Sequence, residues 1–130
     1  MTDLKSKPLA RLGKLLSIDI DGWGQDWELV YADPDRIAEF CEVYERALLN
    51  SVEKSELMGL IVASYDQMLE NGGRSNDNWQ RIARLLKADF IIHEEMVEYW
   101  SRLDEADVDN VFPVTPLMRE VWRDCQSGEI

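Results

Sequence analysis

The sequence predicts an all-α fold, an antiparallel bundle of about four main helices with a short irregular or hairpin N-terminal arm. Three observations point there. Apolar residues recur at three- and four-residue intervals over long stretches of the chain. Asp33-Pro34 and Thr115-Pro116 each set a capping side chain ahead of a proline that suits a first helical turn. Asn71-Gly72-Gly73 supplies a stop, because glycine takes the left-handed conformation in which helices end. At 130 residues the chain fits one domain, with residues 1–32 as a basic segment and tryptophan-containing arm and residues 33–125 as the bundle.

The elements follow in order. Leu9, Leu12, Leu15 and Leu16 have helical spacing after Pro8, so a short helix is expected from Pro8 to Leu16. Ile18 and Ile20 alternate with Asp19 and Asp21 before Gly22 and Gly24 break the chain, which reads as a hairpin or irregular arm carrying Trp23 and Trp27. The first long helix starts at the Asp33 cap and holds Ile37, Phe40, Cys41, Tyr44, Ala47 and Leu48 in one apolar stripe. The second runs from Ser51 to Asn71, and its wide apolar sector of Leu57, Leu60, Ile61, Tyr65, Met68 and Leu69 places it deep. The third is expected to be continuous from Asp77 to Leu103, with Trp79, Ile82, Ala83, Leu86, Phe90, His93, Val97 and Trp100 in a single sector. A last helix opens at Thr115-Pro116 and carries Leu117, Met118, Val121 and Trp122.

Charge separates classes of function. The chain has 14 Lys plus Arg against 26 Asp plus Glu, a net charge of −12, although Lys5, Lys7, Arg11 and Lys14 make its beginning basic. Such a body repels phosphate backbones, so direct nucleic-acid binding is disfavoured and a basic protein partner is favoured. No segment has the roughly 20 apolar residues of a membrane span or the apolar run of a signal peptide, which predicts a cytoplasmic protein with Cys41 and Cys125 reduced. A disulfide between them stays open as an alternative.

Few residues group as catalytic machinery does. Asp89 and His93 stand one turn apart on the apolar side of the third helix, an arrangement that in catalytic sites fixes a tautomer and stabilises an imidazolium. Ser64, Tyr65 or Cys41 would have to supply a nucleophile, yet no nucleophile-elbow or cysteine-enzyme motif surrounds them. The pair reads better as a buried polar pair inside the core. A di-iron centre needs two Glu-x-x-His motifs and the chain has one histidine. Asp19-x-Asp21 with Gly24 copies the start of a calcium loop, but Trp23 and Val30 occupy ligand positions. Glu105-x-Asp107-x-Asp109 has Asn110 where glycine is needed and Pro116 at the closing position. No metal, cofactor or enzymatic activity is therefore expected.

Two acidic clusters remain. Asp35, Glu39, Glu42 and Glu45 share the polar side of the first long helix, where like charges cost about 0.2–0.5 kcal/mol per pair. Asp104, Glu105, Asp107 and Asp109 crowd the expected C-terminal end of the third helix, where the dipole favours cations. Local stability leaves both clusters unexplained, so both are candidates for partner binding. Trp23 and Trp27, set among Asp21, Asp26 and Glu28, either cover the bundle as a lid or join that interface.

Gln25-Asp26-Trp27-Glu28, Ala32-Asp33-Pro34-Asp35-Arg36, Leu57 to Asp66, His93 with Tyr99-Trp100, and Val114 to Arg119 together resemble a group of small acidic all-helical bacterial proteins of uncharacterised function. In size and charge these are similar to immunity proteins that neutralise polymorphic toxins. The resemblance implies a stoichiometric inhibitor of a basic toxin such as a nuclease and carries over no functional residue. The alternatives are an adaptor or scaffold subunit, with a homodimer as one form of it, and third an enzyme built on Asp89 and His93.

Overall fold

The computed structural model describes residues 6–18, 30–73 and 77–126, without the side chains of residues 6–10, 77 and 108. It is all-helical, with no strand among the described residues. The elements are α1 (Ser6–Leu16), a 3₁₀ turn (Pro34–Arg36), α2 (Ile37–Arg46), α3 (Ser51–Glu70), α4 (Asp77–Ala88), α5 (Phe90–Ser101), a second 3₁₀ turn (Val108–Asn110) and α6 (Thr115–Gln126). Two compact units, Met1–Ser64 and Tyr65–Ile130, make up the chain, and α3 supplies residues to both. No helix among the described residues is long and apolar enough to cross a membrane. The proposed arm lies largely outside the described residues, and its described end, residues 30–31, is helical.

In the first unit two arginines tie α1 to the segments that flank α2: Arg36, just before α2, bonds the end of α1, and Arg11 of α1 bonds the Leu48 carbonyl just after it. α1 stops in a Schellman turn: Ser17 is left-handed at φ 57°, and Ile18 N–H donates to the Gly13 carbonyl at 2.8 Å. The Leu16 carbonyl that this turn leaves at the helix end accepts from the Arg36 guanidinium. Asp33 caps as expected, accepting from Asp35 N–H at 3.0 Å, but what it caps is the 3₁₀ turn that feeds α2. Ile37, Phe40, Cys41 and Tyr44 face inward as predicted. The stripe ends there. α2 stops at Arg46, so Ala47 is extended and Leu48 is 89% exposed rather than part of the core.

The start of α3 is held by a reciprocal capping box. Glu53 N–H donates to Asn50 Oδ1 at 2.8 Å while the Glu53 carboxylate accepts from Asn50 N–H at 3.0 Å. That carboxylate is 2% exposed, and Arg11 of α1 supplies its counter-charge at 2.7 and 3.0 Å while also donating to the Leu48 carbonyl at 2.6 Å. Leu57, Met58, Leu60, Ile61, Val62 and Tyr65 are all fully buried, the depth expected of α3. Each aliphatic side chain contributes about 1.5–3 kcal/mol by leaving water. Near its end Gly72 takes φ +95°, and a side chain on Gly73 would collide with the Met68 carbonyl at 2.8 Å, so both glycines are needed.

In the second unit the expected single helix from Asp77 to Leu103 is two helices. Asp89, at φ −114° and ψ 36°, interrupts the helical path, and the Ile92 and His93 N–H groups both turn back to its carbonyl. Asp89 belongs to the residue types that favour helix starts over helix interiors, although its side chain makes no capping bond here. α5 then ends at Ser101, with Arg102 left-handed at φ 46°. α5 and α6 pack antiparallel: Phe90 meets Trp122 at 6.1 Å at one end, and Thr115 Oγ1 donates to the Trp100 carbonyl at 2.7 Å at the other. Trp79, Ile82, Leu86, Val97, Trp100, Val114, Met118 and Val121 form the core, and Trp79 lies against Tyr65 with ring centroids 5.3 Å apart.

The Arg11–Glu53 pair generates a prediction. Arg11→Ala strips a buried carboxylate of its cation and should lower the unfolding free energy by about 2–3 kcal/mol in denaturant titrations. Adding Glu53→Gln, which keeps the capping geometry without the charge, should recover about 1 kcal/mol or more. Equal losses in the single and double variants would show that the charge is not what Arg11 compensates.

Candidate functional site

The first acidic cluster is a solvent-facing surface. Asp35, Glu39, Glu42 and Glu45 are all exposed, on the side of α2 and its preceding turn away from Ile37, Phe40, Cys41 and Tyr44. Two arginines sit among them. Arg36 meets Glu39 at 2.6 Å, which holds the Glu39 carboxyl below the usual range and raises the guanidinium, and Arg46 lies 3.4 Å from Glu42. Where α2 ends, Leu48 and, in the first turn of α3, Val52 at 53% add exposed apolar surface. Exposed apolar residues thus follow the acidic face of α2 in the chain.

The second cluster is different. α5 ends at Ser101, so Asp104, Glu105, Asp107 and Asp109 lie in the connection after it rather than on the helix. Asp107 accepts from Asp109 N–H at 2.9 Å and Glu105 from Asp107 N–H at 3.2 Å, so two of the four hold the turn. The cations the helix end calls for are supplied elsewhere. Arg119 of α6 donates to the carbonyls of Ser101, Arg102 and Glu105 at 2.6, 2.6 and 2.9 Å, and Arg102 lies 3.8 Å from Glu105. Local structure thus accounts for much of this cluster, contrary to the expectation from sequence. Beside it Glu98, Tyr99, Arg102, Leu103, Asp104 and Glu105 line a cleft of about 510 Å³.

Asp89 and His93 differ in burial. His93 is fully buried, whereas Asp89 is half-buried at the helix break and lines an open cleft. The candidate nucleophiles are inside their units: Ser64 accepts from Asp33 N–H at 2.9 Å, Tyr65 lies beneath Trp79, and Cys41 is fully buried. Neither cysteine is in a disulfide, and burial pushes the Cys125 thiol up, so it is a poor nucleophile at neutral pH. Among the described residues no three His, Cys, Asp or Glu side chains converge as metal ligands. Trp23 and Trp27 lie outside the described residues.

Comparison with protein families, curated proteins and solved structures gives no match.

Sequence reasoning missed the structural roles of Arg119, Arg36 and Asp66. Burial raises the Asp66 carboxyl, the Glu70 charge raises it further, and the bond from Val114 N–H, at 2.9 Å, opposes both. A perturbed carboxyl is a common mark of catalysis, but here it fastens α3 to the start of α6.

Asp66 makes the stability pH-dependent in a defined direction. Its folded pKa lies above its unfolded one, so the folded state binds the extra proton and stability from this group falls as pH rises through the folded pKa. Asp66→Asn keeps an acceptor for Val114 N–H without the ionisation. The variant should be at least as stable as wild type at pH 7, and its advantage should shrink as pH drops through the carboxylate range. Asp66→Ala should lose about 1 kcal/mol or more. Denaturant titrations across that range decide it, and an Asn advantage that grows on acidification would contradict the assignment.

Proposed function

We propose that this chain is an acidic protein-binding module acting in the cytoplasm, and that it serves as a stoichiometric, immunity-type inhibitor of a basic toxin such as a nuclease. The observation that carries this reading is the α2 surface. Asp35, Glu39, Glu42 and Glu45 are exposed together, and the packing of the first unit is supplied by other residues of the same helix. We assign Leu48 and Val52, exposed where α2 ends and α3 begins, as its apolar centre, in keeping with interfaces in which an apolar centre is bordered by polar groups. Acids of that surface attract a basic partner from a distance, and desolvation of the centre slows its departure. The net charge of −12 acts in the same sense and opposes direct nucleic-acid binding.

The connection of Asp104, Glu105, Asp107 and Asp109 is the lesser candidate, since part of it holds its own turn. An enzyme built on Asp89 and His93 is disfavoured because the imidazole is fully buried.

The test is kinetic. Reversing Asp35, Glu39, Glu42 and Glu45 to lysine should slow association with the partner captured from the source cell by about tenfold or more at low salt. The wild-type rate should itself fall as salt shortens the screening length towards about 8 Å. Folding stability should stay within about 0.5 kcal/mol, because these side chains are exposed. Association rates indifferent to both salt and charge reversal would remove the inhibitor mechanism.

A further inference from the structure

α5 buries one side and leaves the other to solvent. His93, Val97 and Trp100 are buried, while Ile91, Glu94, Glu95, Glu98 and Tyr99 are exposed at the three- and four-residue spacing of one helical face. Ile91 is 94% and Tyr99 59% exposed, two turns or about 12 Å apart along the axis, with the glutamates between them. Phe90–Ser101 contains no lysine or arginine, and among the described residues none of the three glutamates enters an ion pair. The acids of α2, by contrast, have Arg36 and Arg46 among them. Helix stability does not explain the α5 acids: Glu94 and Glu98 repel one turn apart, and Glu98 stands in the last turn, where the dipole favours cations. This face continues into the cleft of Glu98, Tyr99, Arg102, Leu103, Asp104 and Glu105. Phe112 and Trp100 hold the Tyr99 ring, with centroids 5.6 and 5.5 Å away. Arg102, the cation of the cleft itself, is engaged by Glu105 at 3.8 Å and by the Phe112 ring at 5.8 Å. Glu98 and Asp104 are thus left beside an exposed aromatic ring with no counter-cation among the described residues.

We propose that the exposed face of α5 docks a basic segment of a protein partner, with an arginine of that segment entering the cleft between the Tyr99 ring and the carboxylates of Glu98 and Asp104. Charge selects a cation, because the face carries three glutamates and no cation of its own. A guanidinium suits the cleft, since it stacks on an aromatic ring and bonds carboxylates in its plane. The exposed apolar residues select a polypeptide over a bare polyamine or metal ion: Ile91, Tyr99 and Leu103 gain from apolar contact that a simple cation does not bring. The assignment rests on the basic-partner reading and gives it a second surface, one with no arginine among its glutamates.

The probe is a short synthetic helical peptide with arginine and leucine on one face, titrated into isotope-labelled full-length chain and followed by NMR. Amide shifts should concentrate in residues 91–105 at low salt and fade as salt rises. Glu94→Gln, Glu95→Gln and Glu98→Gln together should weaken binding by about tenfold or more. Removing the same charge from α2, by Glu39→Gln, Glu42→Gln and Glu45→Gln, should weaken it by about threefold or less. Tyr99→Ala should cost about two- to fivefold, and Tyr99→Phe, which keeps the ring, should restore it. Every substituted side chain is exposed, so the fold should hold, and circular dichroism checks that. Spermine, which carries charge without apolar side chains, should bind by about tenfold less tightly. Equal losses in the two triple variants, shifts spread over all the acids, or spermine matching the peptide would overturn the assignment and leave the basic-partner reading standing. A peptide that fails to bind at low salt overturns it too, while the inhibitor reading is decided separately by the association rates of the captured partner.

Discussion

The guanidinium of Arg119 lies across the end of α5, donating to the carbonyls of Ser101, Arg102 and Glu105, and the second unit is organised around that contact. A helix leaves its last carbonyls without internal partners, and a buried carbonyl without a donor costs about 1–3 kcal/mol. Here Arg119 of the following helix satisfies the last of them, that of Ser101, together with the Arg102 and Glu105 carbonyls of the connection. The same stretch of chain makes the neighbouring joints: Thr115 bonds the Trp100 carbonyl, Val114 N–H bonds Asp66, and Phe112 packs on Trp100 with centroids 4.6 Å apart. Residues 112–119 thereby fasten α3, α5 and α6 to one another. Arg36 repeats the device in the first unit by closing the end of α1.

This use of arginine bears on the acidic surface. Cations are scarce, 14 against 26 acids, and several are committed to helix ends or to the buried Glu53 carboxylate. The acids of α2 are left facing water with two arginines among them. Asp33 with Ser64, Asp66 with Val114, Thr115 with Trp100 and Arg119 with the end of α5 are joints of the fold.

The helices were legible because burial repeats with their period. Ile37, Phe40, Cys41 and Tyr44, and the fully apolar run through α3, could be placed without coordinates. The structure adds the Asn50–Glu53 capping box, which fixes the α3 start at the expected Ser51. The break at Asp89 was not. Trp79, Ile82, Leu86, His93, Val97 and Trp100 stay in phase across it, so periodicity reports one helix where the backbone makes two. Arg36 and Arg119 were illegible for another reason. Each reaches carbonyls 14 to 20 residues away, and a carbonyl has no identity in a sequence. Of the candidate surface, the α2 acids followed from helical spacing, whereas the proposed Leu48–Val52 centre depended on where α2 stops.

Equilibrium unfolding of Arg119→Met and Arg119→Lys measures the Arg119 contact most directly. Methionine keeps much of the apolar stem but no donors, so it should cost about 2 kcal/mol or more, with faster amide exchange through the end of α5. Lysine keeps the charge without the planar fork that spans three carbonyls, and should recover only part of the loss. A methionine variant within about 0.5 kcal/mol of wild type, with exchange at the α5 end unchanged, would contradict the claim that this arginine holds the second unit together.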